Sequence, residues 1–423
     1  MSIAPQLKDE QLPSGAEAMR EARSASQIGP FDYCPKVGFR EYWYPGIQAK
    51  RVGREPIHQV MLGDDLVFFR DKDGKVVALS DWCPHRGARL SRGNCEFKGT
   101  IACPYHGYVF DGTGQCVAGL VESPDSPFVP KLRAQKYPTA EHEGLVYVWM
   151  GKTEPVPLEQ DLPMEFLDPK LTHYRYLEVR VWEANWVEPV AQGIDFHAAY
   201  LHRNVNFWRF FNRDLTFFRP RMISQGGCKI VADGEDYVNV DYANVRYGQD
   251  YYPGFDAKWP RHVWWRILRR KKGPGMTGKP FVNYKYNAQL PSIIRVTRGS
   301  SIHMRWMVPL NEDETRVWTF TIIKKPKTRL RQLYEDVWYW GWRRPDEVIN
   351  TNVYEDLVVF KKGRLNLDRP QKLGPLDAGL IYFRRHLARR SRDFKRLGGA
   401  EGCLKAPPGT YPVEDGRTDH QRK

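Results

Sequence analysis

The chain has no long hydrophobic run. Across 423 residues no apolar stretch approaches the ~20 residues that a membrane-spanning helix needs, so no membrane span is expected. Residues Met1 to about Pro30 are polar and lack the apolar core of a secretory signal, which points to a cytoplasmic protein. Cysteine is sparse: Cys34, Cys95, Cys116, Cys228 and Cys403 show no framework spacing, which argues against a disulfide scaffold and fits free thiols in a reducing compartment. Acidic residues are outnumbered by basic ones, 50 to 65, for a net charge of +15. That charge is spread along the chain, with clusters at Arg266–Lys272 and Arg384–Arg396, so nucleic acid is not the expected partner. The first cluster follows Trp264 and Trp265 and could touch a membrane surface, but it runs into Gly273-Pro274-Gly275 and reads as an exposed loop. Attraction of an acidic redox partner or an anionic substrate is the simpler use of the charge.

Two short loops carry the strongest chemical signal. One reads Cys83-Pro84-His85-Arg86-Gly87 and the other Cys103-Pro104-Tyr105-His106-Gly107. Each offers one thiol and one imidazole. A [2Fe–2S] cluster of the Rieske type takes this set, with two thiolates on one iron and two imidazoles on the other. Structural zinc is the competing reading, but zinc fingers usually pair Cys with Cys and His with His. Cys83, His85, Cys103 and His106 are therefore the candidate cluster ligands. Respiratory Rieske proteins resemble this pattern but carry an extra Cys in each loop. Ala88 and Tyr105 stand at those positions here. Tyr108 follows Gly107, where Rieske oxygenases usually have Trp.

The rest of the chain divides into two parts. Asp64–Arg70, a turn at Asp71-Lys72-Asp73-Gly74 and Val76–Leu79 read as a β-hairpin, and Leu145–Met150 as a closing strand. The expected organisation is an arm over 1–38, an all-β Rieske domain over 39–152, a Pro-rich linker over 153–163 and a mixed second domain over 164–423. In the second domain, Ser292–Thr297, Ile302–Val308 and Arg316–Ile323 read as strands. Thr328–Trp342 and Asp346 to about Val359 read as helices. His303 reads as a half-buried strand residue rather than a ligand. No internal repeat is visible.

A cluster of this kind has no open iron position for a substrate. An oxygenase needs a second, mononuclear iron, held by two His and one carboxylate with positions left open for O₂. His197 and His202 are the candidate imidazoles. Five residues apart, they lie about 140° apart on a regular helix, so they converge only if the helix is distorted or ends between them. Asp356 is preferred over Glu355 as the carboxylate.

With these parts in view, the chain resembles the catalytic (α) subunit of Rieske non-heme iron oxygenases from about residue 35 onward. The resemblance rests on Tyr42-Trp43-Tyr44-Pro45-Gly46, both cluster loops, Asn185-Trp186, the His197/His202 pair and Glu355-Asp356. The stretch Asp368-Arg369-Pro370-Gln371-Lys372-Leu373-Gly374-Pro375-Leu376-Asp377 is similar to the C-terminal signature of the homotrimeric phthalate, vanillate and dehydrodivanillate branch. The resemblance implies an α+β chain: the Rieske domain, then a helix-grip-like catalytic domain whose antiparallel sheet is flanked by helices. It also implies a [2Fe–2S] cluster, a mononuclear Fe(II) and a head-to-tail homotrimer, with electrons from an NADH-dependent reductase or a ferredoxin. In the family, an Asp three residues before the first iron His bridges the two centres across the subunit boundary. Here Asp195 stands only two residues before His197, and it remains the bridging candidate, with Glu188 as runner-up.

The expected reaction is hydroxylation or O-demethylation of an aromatic substrate that is acidic or methoxylated. The alternatives are cis-dihydroxylation of a ring, a terpenoid or steroid-like substrate, and, more remotely, an electron carrier without catalytic iron. Phe207, Phe210 and Phe211, interleaved with Arg209 and Arg213, follow the iron His pair. They suit a flat ring with a carboxylate.

Overall fold

A computed structural model describes residues 34–172, 176–194, 227–234, 236–243, 284–298, 301–344, 359, 372–373 and 377–396. The N-terminal part contains strands β1 (Trp43–Gln48), β2 (Ile57–Met61), β3 (Asp64–Arg70), β4 (Val76–Ser80) and β5 (Thr100–Ala102). It continues with β6 (Tyr108–Asp111), β7 (Cys116–Gly119), β8 (Lys136–Tyr137), β9 (Thr139–His142) and β10 (Leu145–Trp149). They form three antiparallel sheets, ordered β1-β10-β9, β2-β3-β4-β8 and β5-β6-β7. The expected hairpin is β3–β4, with Leu66 opposite Ser80 and Arg70 opposite Val76. Its turn forms because the Asp71 carboxylate accepts from the backbone N–H groups of Asp73 and Lys75, both at 2.9 Å.

The second part is built on one antiparallel sheet. Its strands are β11 (Leu171–Thr172), β12 (Leu177–Trp182), β13 (Gly227–Asp233), β14 (Tyr237–Ala243), β15 (Tyr284–Gln289), β16 (Ile293–Arg298), β17 (Ser301–Pro309) and β18 (Thr315–Lys324). The order is β11-β18-β17-β16-β15-β14-β13, and β12 also pairs with β18. The helices are α1 (Met164–Leu167), α2 (Val187–Gly193), α3 (Arg329–Trp338), α4 (Ala378–Ile381) and α5 (Arg392–Arg396). The three strands expected between residues 292 and 323 are β16, β17 and β18. The helix expected over Thr328–Trp342 is regular only as α3, capped by the Thr328 hydroxyl accepting from Arg331, and it widens into a π-turn at Tyr339–Arg343. Apart from Val359, the second expected helix lies outside the described residues.

Strand β17 is buried on both faces, because each face meets a different layer. On one face Trp306 packs against Tyr147 of β10 with ring centroids 5.7 Å apart, and Phe320 of β18 meets Phe166 of α1 at 4.9 Å. These contacts join the second sheet to strands of the N-terminal part in one continuous core. On the other face Arg305 lies over the Trp182 ring at 5.0 Å, and its cross-strand partner Ile294 touches Gly193 at the end of α2. His303 lies on this second face, paired with Thr321, and is buried rather than half-buried.

The described chain before β1, from residue 34, is tied to the second part. Cys34 and Val37 are buried. The Trp186 indole donates to the Pro35 carbonyl at 3.0 Å, and the Asn185 amide donates to the carbonyls of Lys36 (2.9 Å) and Glu312 (2.8 Å). Buried Asn and Trp donors need acceptors, and this segment supplies them. Asn185-Trp186 thus ties the start of α2 to two distant parts of the chain. The Asn185 carbonyl oxygen also accepts from the Val187 N–H at 3.0 Å.

Candidate metal centre

The two ligand loops share one backbone design. Each Cys N–H donates five residues ahead, Cys83 to the Ala88 carbonyl at 2.8 Å and Cys103 to the Tyr108 carbonyl at 2.8 Å. Each Gly N–H returns to the Cys carbonyl, at 2.9 Å from Gly87 and 3.1 Å from Gly107. Both glycines sit at left-handed φ, 71° and 68°, which closes the loop behind the sulfur. Gly107→Ala should therefore strain the second loop by roughly 1–2 kcal/mol. A Cβ there would also lie 3.0 Å from Leu120. The expected outcome is less iron and acid-labile sulfide per purified chain; wild-type loading would show that the loop tolerates the side chain.

The candidate ligands come together by type. Cys83 and Cys103 are buried and hydrogen-bond to each other. That bond, first of all, draws Cys103 down to about 6, helped by the backbone N–H groups of Tyr105 and His106. The same bond and burial push Cys83 up. The imidazoles of His85 and His106 lie with ring centroids 4.8 Å apart. Burial, then the neighbouring His106 and Arg86, hold His85 below its ordinary value, which favours the neutral ring that a metal takes. The Nδ1 of His106 is buried without a hydrogen-bond partner. An orphaned ring nitrogen next to a second imidazole suits a metal better than a packed core. Among the described residues no three His, Cys, Asp or Glu gather around a single point. A thiol pair beside an imidazole pair is what the two separately ligated irons of such a cluster require. The four residues therefore fit a [2Fe–2S] group.

Aromatic rings wall this site. Tyr105 stacks on His106 at 3.7 Å, with Arg86 over its outer face at 5.3 Å. Tyr105 is 56% exposed, so the imidazole end faces the surface. Tyr108 and Phe128 set their edges against His85 at 4.8 and 5.9 Å. The Tyr108 hydroxyl is taken by the Glu122 carboxylate.

Other residues that no motif announces support the first loop. The buried Asp81 carboxylate accepts from the Ser91 N–H (2.6 Å), the Ser91 hydroxyl (2.8 Å) and Arg89 (3.1 Å). Arg89 also reaches Asp65 on β3 at 2.8 Å and lies over Trp82 at 4.4 Å. A cavity of about 430 Å³ lined by His58, Arg89, Ser91 and Arg92 contains none of the ligand side chains.

The second set of expected site residues falls outside the described residues: Asp195, His197, His202, Asp356 and the segment with Phe207, Arg209, Phe210, Phe211 and Arg213. Helix α2 ends at Gly193, just before them. Glu188, the runner-up for the bridge, is buried on α2. Burial raises its carboxyl, partly offset by Arg384.

Residues 42–133 match the family described as Rieske [2Fe-2S] domain, and residues 149–388 match the family described as homotrimeric ring hydroxylase. The terminal oxygenase component of carbazole 1,9a-dioxygenase from Metapseudomonas resinovorans is 27% identical over 367 residues, covering 83% of this chain and 90% of that one. The solved terminal oxygenase of carbazole 1,9a-dioxygenase from Novosphingobium sp. KA1 superposes with a TM-score of 0.67 at 22% identity, covering 90% of this chain and 99% of that one. A reduced complex between oxygenase and ferredoxin in carbazole 1,9a-dioxygenase superposes with a TM-score of 0.66 at 21% identity, covering 90% of this chain and 95% of that one.

Proposed function

The chain belongs to the homotrimeric ring hydroxylases, and from that premise we propose that it is a terminal oxygenase acting on an aromatic, acidic or methoxylated substrate. The observation that carries the oxygenase reading is the thiol pair set beside the imidazole pair, in a β domain that has its own small core around the thiols and whose other strands share a core with the ring-hydroxylase sheet. When bound, the [2Fe–2S] group passes electrons singly, and a mononuclear iron activates O₂.

The chain's own residues set up both sites. Cys83 and Cys103, as thiolates, and His85 and His106, as neutral rings, would hold the cluster. Asn185 and Trp186 anchor α2, so the chain leaves Ile194 from a fixed point next to the buried sheet face carrying His303 and Arg305. His197, His202 and Asp356 are proposed to hold the mononuclear iron. Asp195 is proposed to hydrogen-bond a cluster imidazole of a neighbouring copy to an iron imidazole of its own chain. Phe207, Phe210 and Phe211 would pack on the ring, and Arg209 or Arg213 would pair with a carboxylate. A ferredoxin or an NADH-dependent reductase supplies the electrons. The ferredoxin is supported by the oxygenase–ferredoxin complexes that share this fold.

Iron content tests the oxygenase reading. The purified chain should carry about three iron atoms, and His202→Ala should carry about two. Two irons in both proteins would leave an electron carrier. Dioxygenation is the second reading, favoured by the name of the carbazole relative. Product masses from a panel of aromatic acids separate the two. One added oxygen or a lost methylene supports hydroxylation or demethylation, as with phthalate-branch or vanillate-type substrates; two added oxygens support dioxygenation.

A further inference from the structure

Glu122 lies in neither ligand loop, yet it is joined to the second. It follows β7, on a turn where its N–H donates to the Gly119 carbonyl at 3.0 Å. Just before it, the Leu120 N–H donates to the Gly107 carbonyl at 3.0 Å, fastening this segment to the loop that carries Cys103 and His106. Both carboxylate oxygens are used: one accepts from the Tyr108 hydroxyl, the other from the Ser126 hydroxyl. The Tyr108 ring lies edge-on to His85, and Phe128, two residues past Ser126, completes the wall at 5.9 Å from His85 and 6.0 Å from Tyr108.

We propose that Glu122 is a positioning residue for the cluster, holding the Tyr108–Phe128 wall against His85 and placing a fixed negative charge that lowers the cluster's reduction potential. The proposal rests on the cluster assignment above. Reduction adds an electron to the cluster, and a nearby carboxylate opposes that addition; net charge, hydrogen bonding and exposure are the means by which a protein tunes such a potential. The charge is present at neutral pH, because the hydrogen bonds from Ser126 and Tyr108 hold the Glu122 carboxyl below its ordinary range. Tyr108 is the donor of this pair. Tyr108 occupies the position where the family usually has Trp, and the Glu122–Tyr108 pair depends on that exchange.

The test is the cluster's midpoint potential, read by redox titration of its electron paramagnetic resonance signal in the full-length chain. Glu122→Gln keeps the shape and removes the charge, so its potential should shift upward with an unchanged signal intensity per chain. Glu122→Met, also neutral, should shift it in the same direction and serves if the Gln variant does not assemble. Tyr108→Phe leaves the charge in place; its potential should stay near the wild-type value, while the cluster is lost faster to a chelator. Potentials of both neutral variants at or below wild type would overturn the proposal, as would a Tyr108→Phe shift as large as that of Glu122→Gln. None of these readings depends on the mononuclear iron or on turnover. A wild-type chain without a Rieske signal would overturn the cluster assignment itself, and this proposal with it.

Discussion

Cys103→Ser will leave a folded chain with no [2Fe–2S] signal and no turnover. Serine keeps the backbone bond to Tyr108 and nearly the same volume, but it replaces a thiol already drawn down to about 6 with a hydroxyl that stays protonated. Losing a supporting residue around a metal typically costs about 10–100-fold in affinity, and losing a ligand costs more. The expected result is therefore more than about 100-fold weaker iron retention, read as loss of the visible and paramagnetic spectrum. The control is Cys116→Ser. Cys116 is also buried and close to the same small core, but its Sγ donates to the Ala118 carbonyl at 3.4 Å and lies outside both loops. It should keep its cluster. A Cys103→Ser chain with a normal spectrum would break the ligand assignment.

Asp393→Ala will cause the largest loss of stability. Asp393 is fully buried on α5. Its two oxygens accept from the backbone N–H groups of Arg40 and Glu41, both at 2.8 Å. Alanine strands two buried donors at about 1–3 kcal/mol each, roughly 2–6 kcal/mol in all. Beside it Arg392 grips Asp161 with two bonds of 2.6 and 3.1 Å and lies over the Tyr42 ring at 4.4 Å. The helix thus clamps the entry to β1 and the segment between the two parts of the chain. The first thermal midpoint should fall by roughly 4–24 °C, given about 2–4 °C per kcal/mol in domains of this size. Cleavage by a protease near residues 153–163 should become faster. Asp393→Asn, which keeps one acceptor oxygen, should lie between. An unchanged midpoint in Asp393→Ala would show that the clamp carries no stability.

The ligand loops were readable because everything they need is local. Cys, Pro, His and Gly within five positions define the turn, the donors and the left-handed residue that closes it. The hairpin β3–β4 and the strands β16 to β18 were readable for the same reason, from short β-prone runs broken by turn residues. The role of residues 34–38 was not readable, because the Pro35 and Lys36 carbonyls serve Trp186 and Asn185 far along the chain. Glu122 and Asp393 gave no signal at all. A single acidic residue in a turn or a short helix is ordinary until a Tyr108 hydroxyl or a pair of N–H groups is brought to it.

By itself, then, the chain determined the candidate cluster ligands, the two loops that present them and the antiparallel character of both parts. These depend on dihedral preferences and contacts over a few residues. Only the tertiary structure decided that the thiols pair with each other and the imidazoles with each other, that Glu122 takes the hydroxyl of the Tyr108 ring set against His85, and that α5 locks the two parts together. Those outcomes bring together groups from different loops and elements, and where the groups are buried, as the thiols and Asp393 are, an unpaired donor or charge is costly enough to select the pairing.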